Sequence, residues 1–270
     1  MTAADQERAA TSPPRNAGPS ARVPLRSALG AFAWDVCLIV ALMIAFIVLL
    51  TLLWAMASGV RAAMQGGVAQ PAGAVAQLAL IVLASAGVAW LLYAFRRPAT
   101  AGEKFHSRAM ARRPRTWWLA AGVGAGMFLL ITLATFASRQ LGLVPDPSNQ
   151  ALIREIWQSH PLLLALFVVV LAPLYEEVLF RRVLFGRLWA QGWPVLGLWL
   201  SGLAFACAHE LPSLGRHGLA NSLLLMGLYT LLGVAFAWVY RRTGTLAAPI
   251  VAHGLNNALA LGVMALSLNG

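Results

Sequence analysis

Six polar or ionisable side chains stand inside long apolar stretches of this chain, and they are of the types that activate water. They belong to three short motifs, Glu-Glu-x-x-x-Arg at 176–181, Phe-x-x-x-His at 205–209 and His-x-x-x-Asn at 253–257. A carboxylate and an imidazole can together take a proton from water, and an amide or a second imidazole can stabilise an oxyanion. Taken together, the three motifs predict a hydrolytic site.

The first motif can give its two carboxylates different roles. On a helix, Glu177 and Arg181 are i,i+4 neighbours on one face, whereas Glu176 points about 100° away from them. The arginine can therefore hold Glu177 while Glu176 stays free for proton chemistry. A juxtamembrane ion pair with no catalytic role explains this motif equally well when it is considered alone.

The second motif places Phe205 and His209 on one helical face. A single histidine in an apolar helix is more often a hydrogen-bonded structural residue than a catalytic one. Glu210 follows the histidine, but Ser213 stands where the zinc motif His-Glu-x-x-His requires its second histidine, so that reading fails. The sequence offers no explanation for the added charge of Glu210.

The third motif places His253 and Asn257 four residues apart, and Asn256 can share their face. Hydrogen bonding between membrane helices is the alternative, since Asn and His commonly serve it. An ionisable group at membrane depth costs a few kcal/mol and so requires a partner or a chemical role. Three such motifs on three helices favour an active site over three separate structural contacts.

The elements that carry these motifs are apolar enough to cross a membrane. The chain is 60% hydrophobic and 11% charged, whereas soluble domains average about 45–50% and about 25%. A transmembrane helix needs roughly 20 mainly apolar residues. Seven such stretches are predicted, at 31–56, 73–95, 117–138, 161–190, 194–212, 219–240 and 245–267. The predicted fold is therefore an all-α, polytopic transmembrane helical bundle of about seven to eight spans.

The depth of the motifs constrains the fourth span. If that helix ended at Arg181, Glu176 would lie only about 7 Å from the membrane face and far from His209. Extending the helix to about residue 190 places Glu176 and His209 both roughly 20 Å from the turn that follows. The extension buries Arg181, whose charge Glu177 can neutralise.

Lysine and arginine predict the orientation, because cytoplasmic loops carry an excess of both. With the amino terminus inside, the inner segments hold Arg8, Arg15, Arg22, Arg26, Arg96, Arg97, Lys104, Arg108, Arg112, Arg113, Arg115, Arg181, Arg182, Arg187, Arg241 and Arg242. The outer segments hold only Arg61, Arg139, Arg154 and Arg216. We therefore predict a multi-pass protein of the cell (inner) membrane with a cytoplasmic amino terminus. The net charge of +11 suits anionic lipid better than nucleic acid, because the basic residues flank apolar runs.

Four regions are predicted along the chain. They are a disordered cytoplasmic tail at 1–29, amino-terminal transmembrane helices at 30–141, an outer loop at 142–160 and a catalytic transmembrane core at 161–267. The tail lacks the apolar run of a secretory signal, and the outer loop has room for a short surface helix. Asp35, beside Trp34 near the start of the first span, is interpreted as a structural residue.

The ordered set of motifs resembles the CPBP family, which comprises CAAX prenyl endopeptidases, Abi proteins and bacteriocin-processing or immunity proteins. The resemblance covers about residues 161–260 and includes the approach to the last motif at 241–253. Each motif is weak alone, whereas the three in this order on successive apolar segments are specific. The first 160 residues resemble the family only in spanning the membrane.

The resemblance implies an intramembrane endopeptidase of the glutamic type with an all-helical core. By analogy, Glu176 is the general base that acts on water together with His209. His253 and Asn257 would stabilise the tetrahedral oxyanion. The natural substrate, and whether it is prenylated, stay open.

The resemblance also implies supporting residues and partners. Glu177 and Arg181 would orient the site, with Phe205 in support. We expect no cofactor, although two histidines and a glutamate would suffice for zinc, so a metalloprotease is the alternative. The expected partners are a peptide or protein substrate at the membrane and the lipid bilayer, with no nucleic acid and with the oligomeric state left open.

Two other functions fit the same apolar chain. A non-catalytic immunity or scaffold protein would keep the fold without the reaction, and a small proton-coupled transporter would relay protons through His and Glu. The intact motifs favour the enzyme, and a transporter is expected to show two related halves, of which the sequence gives no sign. The predicted activity is hydrolysis of peptide bonds in membrane-associated or lipidated substrates.

Overall fold

The computed structural model describes residues 22–143, 147–211 and 218–269, and every regular element in these ranges is helical. Within them the helices are α1 Leu25–Gln65, α2 Ala74–Phe95, α3 Ala101–Ala111, α4 Pro114–Gln140, α5 Gln150–Ser159, α6 Pro161–Ala190, α7 Pro194–His209, α8 Gly218–Thr243 and α9 Ala247–Asn269. The all-helical fold class predicted from the sequence is confirmed.

Six of these helices, α1, α2, α4, α6, α8 and α9, are long and apolar enough to cross a membrane. The protein is therefore a polytopic membrane protein, as predicted. The stretch predicted as a further span over 194–212 differs, because α7 has 16 residues and ends at His209. At 1.5 Å per residue α7 extends about 24 Å, less than the roughly 30 Å of a hydrocarbon core. Helix α7 therefore stops short of a full crossing, and its last residue is His209.

The first helix begins inside the region predicted as a disordered tail. α1 starts at Leu25, and the carbonyl of Val23 just before it accepts a hydrogen bond of 2.9 Å from the Trp193 indole. The guanidinium of Arg22 lies 5.4 Å from the centre of the same indole. The chain is thus fixed here against the turn between α6 and α7. Residues 1–21 of the predicted tail lie outside the described residues.

The predicted outer loop contains a short helix, α5, whose apolar face is seated on the bundle. Ile156 of α5 is fully buried and belongs to the same cluster as Leu78 of α2 and Leu164 of α6. This contact holds the connection between α4 and α6 against α2 and against the start of α6. Residues 144–146 of the same connection lie outside the described residues.

The central helix α6 has 30 residues and matches the long fourth span that the depth argument requires. Two stretches of it, Phe167–Leu171 and Val178–Phe185, are wound as π-helix. Pro173 explains the first stretch, because it has no N–H for the carbonyl of Val169 and its ring displaces that carbonyl. The amide after this stretch accordingly donates to the carbonyl five positions earlier, that of Phe167.

Helices α7 and α8 pack closely through two glycines. A side chain at Gly202 would come within 2.8 Å of the carbonyl oxygen of Thr230, and one at Gly233 within 2.7 Å of the Cα of Gly202. Membrane helices depend on such close backbone contact, because lipid tails give them no hydrophobic reason to associate. The contact brings aromatic side chains of α8 against the end of α7 that carries His209.

Candidate active site

Three of the predicted site residues meet at one carboxylate oxygen. Oε2 of Glu176 on α6 lies 3.7 Å from Nε2 of His209 on α7 and 3.8 Å from Nε2 of His253 on α9. Among the described residues this oxygen has no hydrogen-bond partner, and 14% of the Glu176 side chain is exposed. The arrangement gathers a carboxylate and two imidazoles from three helices around one buried oxygen atom.

The neighbouring carboxylate, Glu177, is fully buried and has a partner for each of its oxygens. Oε1 lies 2.9 Å from Nδ1 of His253, and Oε2 lies 2.8 Å from Nε of Arg181. The Glu177–Arg181 pair follows from the i,i+4 spacing, and the contact with His253 joins α6 to α9. Glu177 therefore fixes the ring orientation of a histidine that faces Glu176.

Aromatic rings surround the guanidinium of Arg181, which is also fully buried. Its central carbon lies 4.7 Å from the ring centre of Phe205, 5.4 Å from that of Phe236 and 5.8 Å from that of Phe180. Ring faces attract a cation more strongly when both are desolvated. The ring of Phe205 also lies 4.2 Å from that of His209, so Phe205 contacts both the arginine and this imidazole.

The hydrogen bonds of the two histidines indicate which nitrogen of each ring carries the proton and which one faces Glu176. Nδ1 of His209 lies 2.9 Å from the carbonyl oxygen of Phe205, which can only accept, so this nitrogen carries the hydrogen. In the neutral ring, Nε2 of His209 then presents a lone pair towards Glu176. Nδ1 of His253 likewise donates to the Glu177 carboxylate, which leaves its Nε2 as the atom that faces Glu176.

Asn257, the fourth predicted catalytic residue, has its hydrogen bonds outside this cluster. Its Nδ2 donates to the carbonyl oxygen of Val168 at 2.9 Å, and its Oδ1 accepts from Nδ2 of Asn256 at 3.1 Å. Within the described part of the chain, no hydrogen bond joins Asn257 to Glu176 or to either histidine. One N–H of its amide stays available for a ligand, since an amide nitrogen has two hydrogens.

The π-helical turn of α6 explains how Asn257 finds its acceptor. Widening of the helix at Phe167–Leu171 releases main-chain carbonyls from their regular bonds, and Val168 offers one of them to α9. The next carbonyl, of Val169, would lie 2.6 Å from any side chain placed at Gly254. The glycine beside His253 therefore permits α9 to approach α6 closely enough for the site to form.

Residues 158–259 match the family model described as Type II CAAX prenyl endopeptidase Rce1-like. This part of the chain is similar to the Rce1-like CAAX proteases. The resemblance stated from the three motifs is thereby confirmed, and all of the residues discussed above for the site lie within the matched range. Both the long helix α6 and the short helix α7 lie within the matched range.

Two relatives match part of the chain. The chain is 26% identical over 140 residues to "Putative membrane peptidase YdiL" of Bacillus subtilis (strain 168), which covers 52% of each chain. It is 34% identical over 97 residues to "Membrane-embedded CAAX protease MroQ" of Staphylococcus aureus (strain USA300), which covers 34% of this chain and 35% of the relative. The chain thus spans about half of the first relative's length and about a third of the second's. No solved structure gives a significant match.

Two aromatic residues within the matched range pack against the histidines of the candidate site, although neither belongs to the three motifs. The ring of Tyr229 lies 4.9 Å from that of His209, and the ring of Phe236 is stacked on that of His253 at 4.8 Å. Both belong to α8, which carries none of the three motifs. Their spacing of seven residues, which places them on one helical face, is the signal that could have found them.

Two acidic residues that the sequence left without a firm role have structural partners. Oε2 of Glu210 accepts a hydrogen bond of 3.2 Å from the amide of Ser148, which ties the loop before α5 to the end of α7. Asp35 is fully buried and pairs with Arg96 and Arg187, each at 2.7 Å. The structural interpretation of Asp35 agrees with these contacts.

The geometry also bears on how a hydrolytic site could be completed. The distances of 3.7 and 3.8 Å from Glu176 to the two histidines exceed a hydrogen bond, so this oxygen is not bonded to either ring and can bind a third group. Among the described residues, no group of three or more His, Cys, Asp and Glu side chains has the arrangement of a metal site. The cofactor-free site stays a prediction.

Proposed function

We propose that this protein is a glutamic-type intramembrane endopeptidase that hydrolyses peptide bonds of membrane-associated or lipidated substrates. One observation carries the proposal, which is the meeting of Glu176 with the Nε2 atoms of His209 and His253 at 3.7 and 3.8 Å. A water molecule among these three atoms has two acceptors for its protons, the Glu176 carboxylate and the lone pair of His209. The water oxygen is then free to attack a carbonyl carbon.

In the proposed reaction, Glu176 takes one proton from the attacking water as the new carbon–oxygen bond forms. The carbonyl oxygen of the scissile peptide becomes the oxyanion of a tetrahedral intermediate. The proton then passes to the amide nitrogen, either from Glu176 or through Nε2 of His209, and the carbon–nitrogen bond breaks. The products are a carboxylate and an amine, and the site returns to its starting protonation state after the carboxyl proton leaves.

The oxyanion is assigned to two donors. His253 would donate through Nε2 when its ring is protonated, because its Nδ1 is bound to the Glu177 carboxylate. The free N–H of Asn257 is the second donor. With His253 charged, the positive charges of His253 and Arg181 balance the negative charges of Glu176 and Glu177, so the buried cluster is neutral as a whole.

The proposed setting follows from the distribution of basic residues. We place the protein in the cell (inner) membrane with its amino terminus in the cytoplasm, so that α3 lies on the cytoplasmic side and the α5 connection outside. The proposed partners are a peptide substrate and the bilayer, without nucleic acid or a cofactor. Impermeant thiol labelling of intact cells that carry Phe105→Cys or Asn149→Cys tests this orientation. Labelling at 105 with protection at 149 would reverse it.

The activity itself is tested by hydrolysis of lipid-anchored peptide libraries by the full chain in mixed micelles, with products identified by mass spectrometry. We expect cleavage by the wild type, none above background by Glu176→Gln, and normal cleavage by Glu155→Gln, which removes an exposed carboxylate from α5. Cleavage that survives exhaustive chelation supports the metal-free reaction. Loss on chelation with recovery on added zinc would make the enzyme a metalloprotease, and full activity of Glu176→Gln would leave the non-catalytic function.

A further inference from the structure

A cavity distinct from the candidate active site lies at the end of the bundle where α2 ends and α4 begins. Its volume is about 490 Å³, which lies within the usual range of roughly 300–1,000 Å³ for small-molecule sites. The wall formed by α3 contributes Lys104, His106 and Arg108, and the ends of three spans contribute Tyr93, Trp189 and Tyr240. The catalytic residues Glu176, His209 and His253 do not line it.

The charges around this cavity are unequal. Arg182 lines it, but its guanidinium is occupied by a bidentate contact with Glu103 at 2.9 and 2.7 Å and by the carbonyls of Arg97 and Pro98. Lys104 and Arg108 have no ion-pair partner within the part of the chain that the structure describes. The cavity therefore presents two uncompensated cations, which is the property of a site for an anion.

The position of the cavity indicates the source of such an anion. Tyr93, Trp189 and Tyr240 stand near the ends of α2, α6 and α8, and tyrosine and tryptophan are enriched where membrane helices leave the hydrocarbon. Phe105 on α3 and Trp118 at the start of α4 are each 77% exposed at the same end. A cavity at this level, beside exposed aromatic side chains, faces lipid headgroups rather than bulk water alone.

We propose that this cavity binds the phosphate-bearing headgroup of an anionic phospholipid. Lys104 and Arg108 donate charge-assisted hydrogen bonds to the phosphate oxygens, and Trp189 and Tyr240 flank the headgroup. Basic pockets between membrane helices are suited to anionic headgroups, whose charge balances the unpaired cations. The site is independent of the proposed protease reaction. It links lipid composition to α3, which is joined to α6 through Glu103 and Arg182.

Three variants isolate the cavity from general surface charge. Lys104→Gln with Arg108→Gln removes both free cations, and Arg112→Gln with Arg115→Gln removes two exposed cations that do not line the cavity. Gly102 lines the cavity, so Gly102→Leu adds a side chain to it instead. A Cβ at this position meets no atom within 4 Å, so the change brings no clash. Melting temperatures in neutral detergent verify that each variant is folded before lipid is added.

The measurement is retention of phosphatidylglycerol by the full chain, taken from nanodiscs of phosphatidylcholine with and without phosphatidylglycerol and counted by native mass spectrometry. We expect the wild type and Arg112→Gln/Arg115→Gln to retain the anionic lipid. Lys104→Gln/Arg108→Gln and Gly102→Leu should each bind it more than tenfold more weakly, since a hydrogen bond to a charged group contributes about tenfold or more in affinity.

Each other outcome overturns the proposal in a defined way. Equal loss in both double variants would mean that surface charge alone attracts the lipid. Retention by Gly102→Leu at the wild-type level would place the lipid elsewhere. Thermal stabilisation in neutral detergent by inorganic phosphate or glycerol phosphate, to the same extent as by phosphatidylglycerol, would make the ligand a free phosphate and not a lipid.

Discussion

Arg181 and Arg182 are neighbours on α6, yet they belong to two charge clusters of opposite character. The catalytic cluster consists of Glu176, Glu177, Arg181, His209 and His253, and the basic-end cluster consists of Asp35, Arg96, Glu103, Arg182 and Arg187. Within the described residues, the Nη atoms of Arg181 have no hydrogen-bond partner and face aromatic rings, whereas both Nη atoms of Arg182 donate to Glu103. The same helix thus carries one arginine whose Nη atoms are both paired and a neighbouring one whose Nη atoms are not.

The difference between the clusters separates structural from chemical use of charge. Buried polar atoms in proteins are nearly always hydrogen-bonded, so each exception requires an explanation. In the basic-end cluster the ion-pair distances are all 2.7 Å, and both Asp35 and Glu103 are engaged by both oxygens. In the catalytic cluster, Glu176 stands 3.7 and 3.8 Å from its neighbours. The gap at Glu176 is where a reacting group can enter.

The largest expected effect is on catalysis, from Glu176→Gln. Hydrolysis should fall by about 10²–10⁴-fold, because the amide cannot accept the proton of water. Stability should change little, since Oε2 of Glu176 has no hydrogen bond to lose and an amide is easier to bury than a carboxylate. Single-turnover rates and melting temperatures check both expectations. Glu177→Gln is the matched comparison, and it should lose stability as well, because that carboxylate holds both Arg181 and His253.

The next effect is on stability, from Arg181→Ala. Removing one partner of a buried ion pair costs about 3–5 kcal/mol, and here Glu177 would remain as a buried carboxylate with one partner fewer. The free energy of unfolding in mixed micelles, from denaturing-detergent titration, provides the measurement, with the exposed Arg115→Ala as the control. An Arg181→Ala protein as stable as the wild type would mean that neither the ion pair nor the ring contacts of Arg181 stabilise this part of α6.

The sequence predicts the elements that repeat a local rule and not those that depend on distant contacts. The i,i+4 spacing gave the Glu177–Arg181 pair, and the depth argument gave the length of α6. The sequence could not show that Asp35 contacts Arg187. The two residues are 152 positions apart, and neither carries a local signal of the other. Such contacts cannot be predicted from the sequence because many residues separate the two partners, and not because the contacts are weak.

The π-helical turns and the aromatic walls were missed for a different reason. Pro173 predicts an irregularity in α6. A kink and a π-turn are equally compatible with a proline, so the sequence does not show which carbonyls are released. Tyr229 and Phe236 stand in an apolar helix where aromatic residues are ordinary. Their role appears only when the Gly202–Gly233 contact brings α8 against α7.

A smaller effect is expected from Asp35→Asn, which breaks the basic-end cluster at its buried carboxylate. The change leaves Arg96 and Arg187 without their charged partner, but these side chains are 34% and 19% exposed and water can solvate them. The expected loss in the free energy of unfolding is about 1–3 kcal/mol, less than for Arg181→Ala. The rate of hydrolysis by the folded fraction should stay at the wild-type level. A selective loss of rate without a loss of stability would place Asp35 in the catalytic cluster's function.

The smallest effect sharpens the comparison through pH. The hydrogen bond from Arg182 holds the pKa of Glu103 at about 2, below its ordinary value of 4.5. Because the folded-state pKa is the lower one, the stabilisation is fully present above about pH 4.5 and is lost as the pH falls through about 2. Glu103 is 44% exposed, so the pair is worth under about 1 kcal/mol. Glu103→Gln should therefore melt about 2 °C or less below the wild type at pH 7, with the difference shrinking below pH 4.5. The Glu155→Gln control should show no such convergence, and a Glu103→Gln difference that stays constant down to pH 3 would mean that shape, not charge, joins α3 to α6.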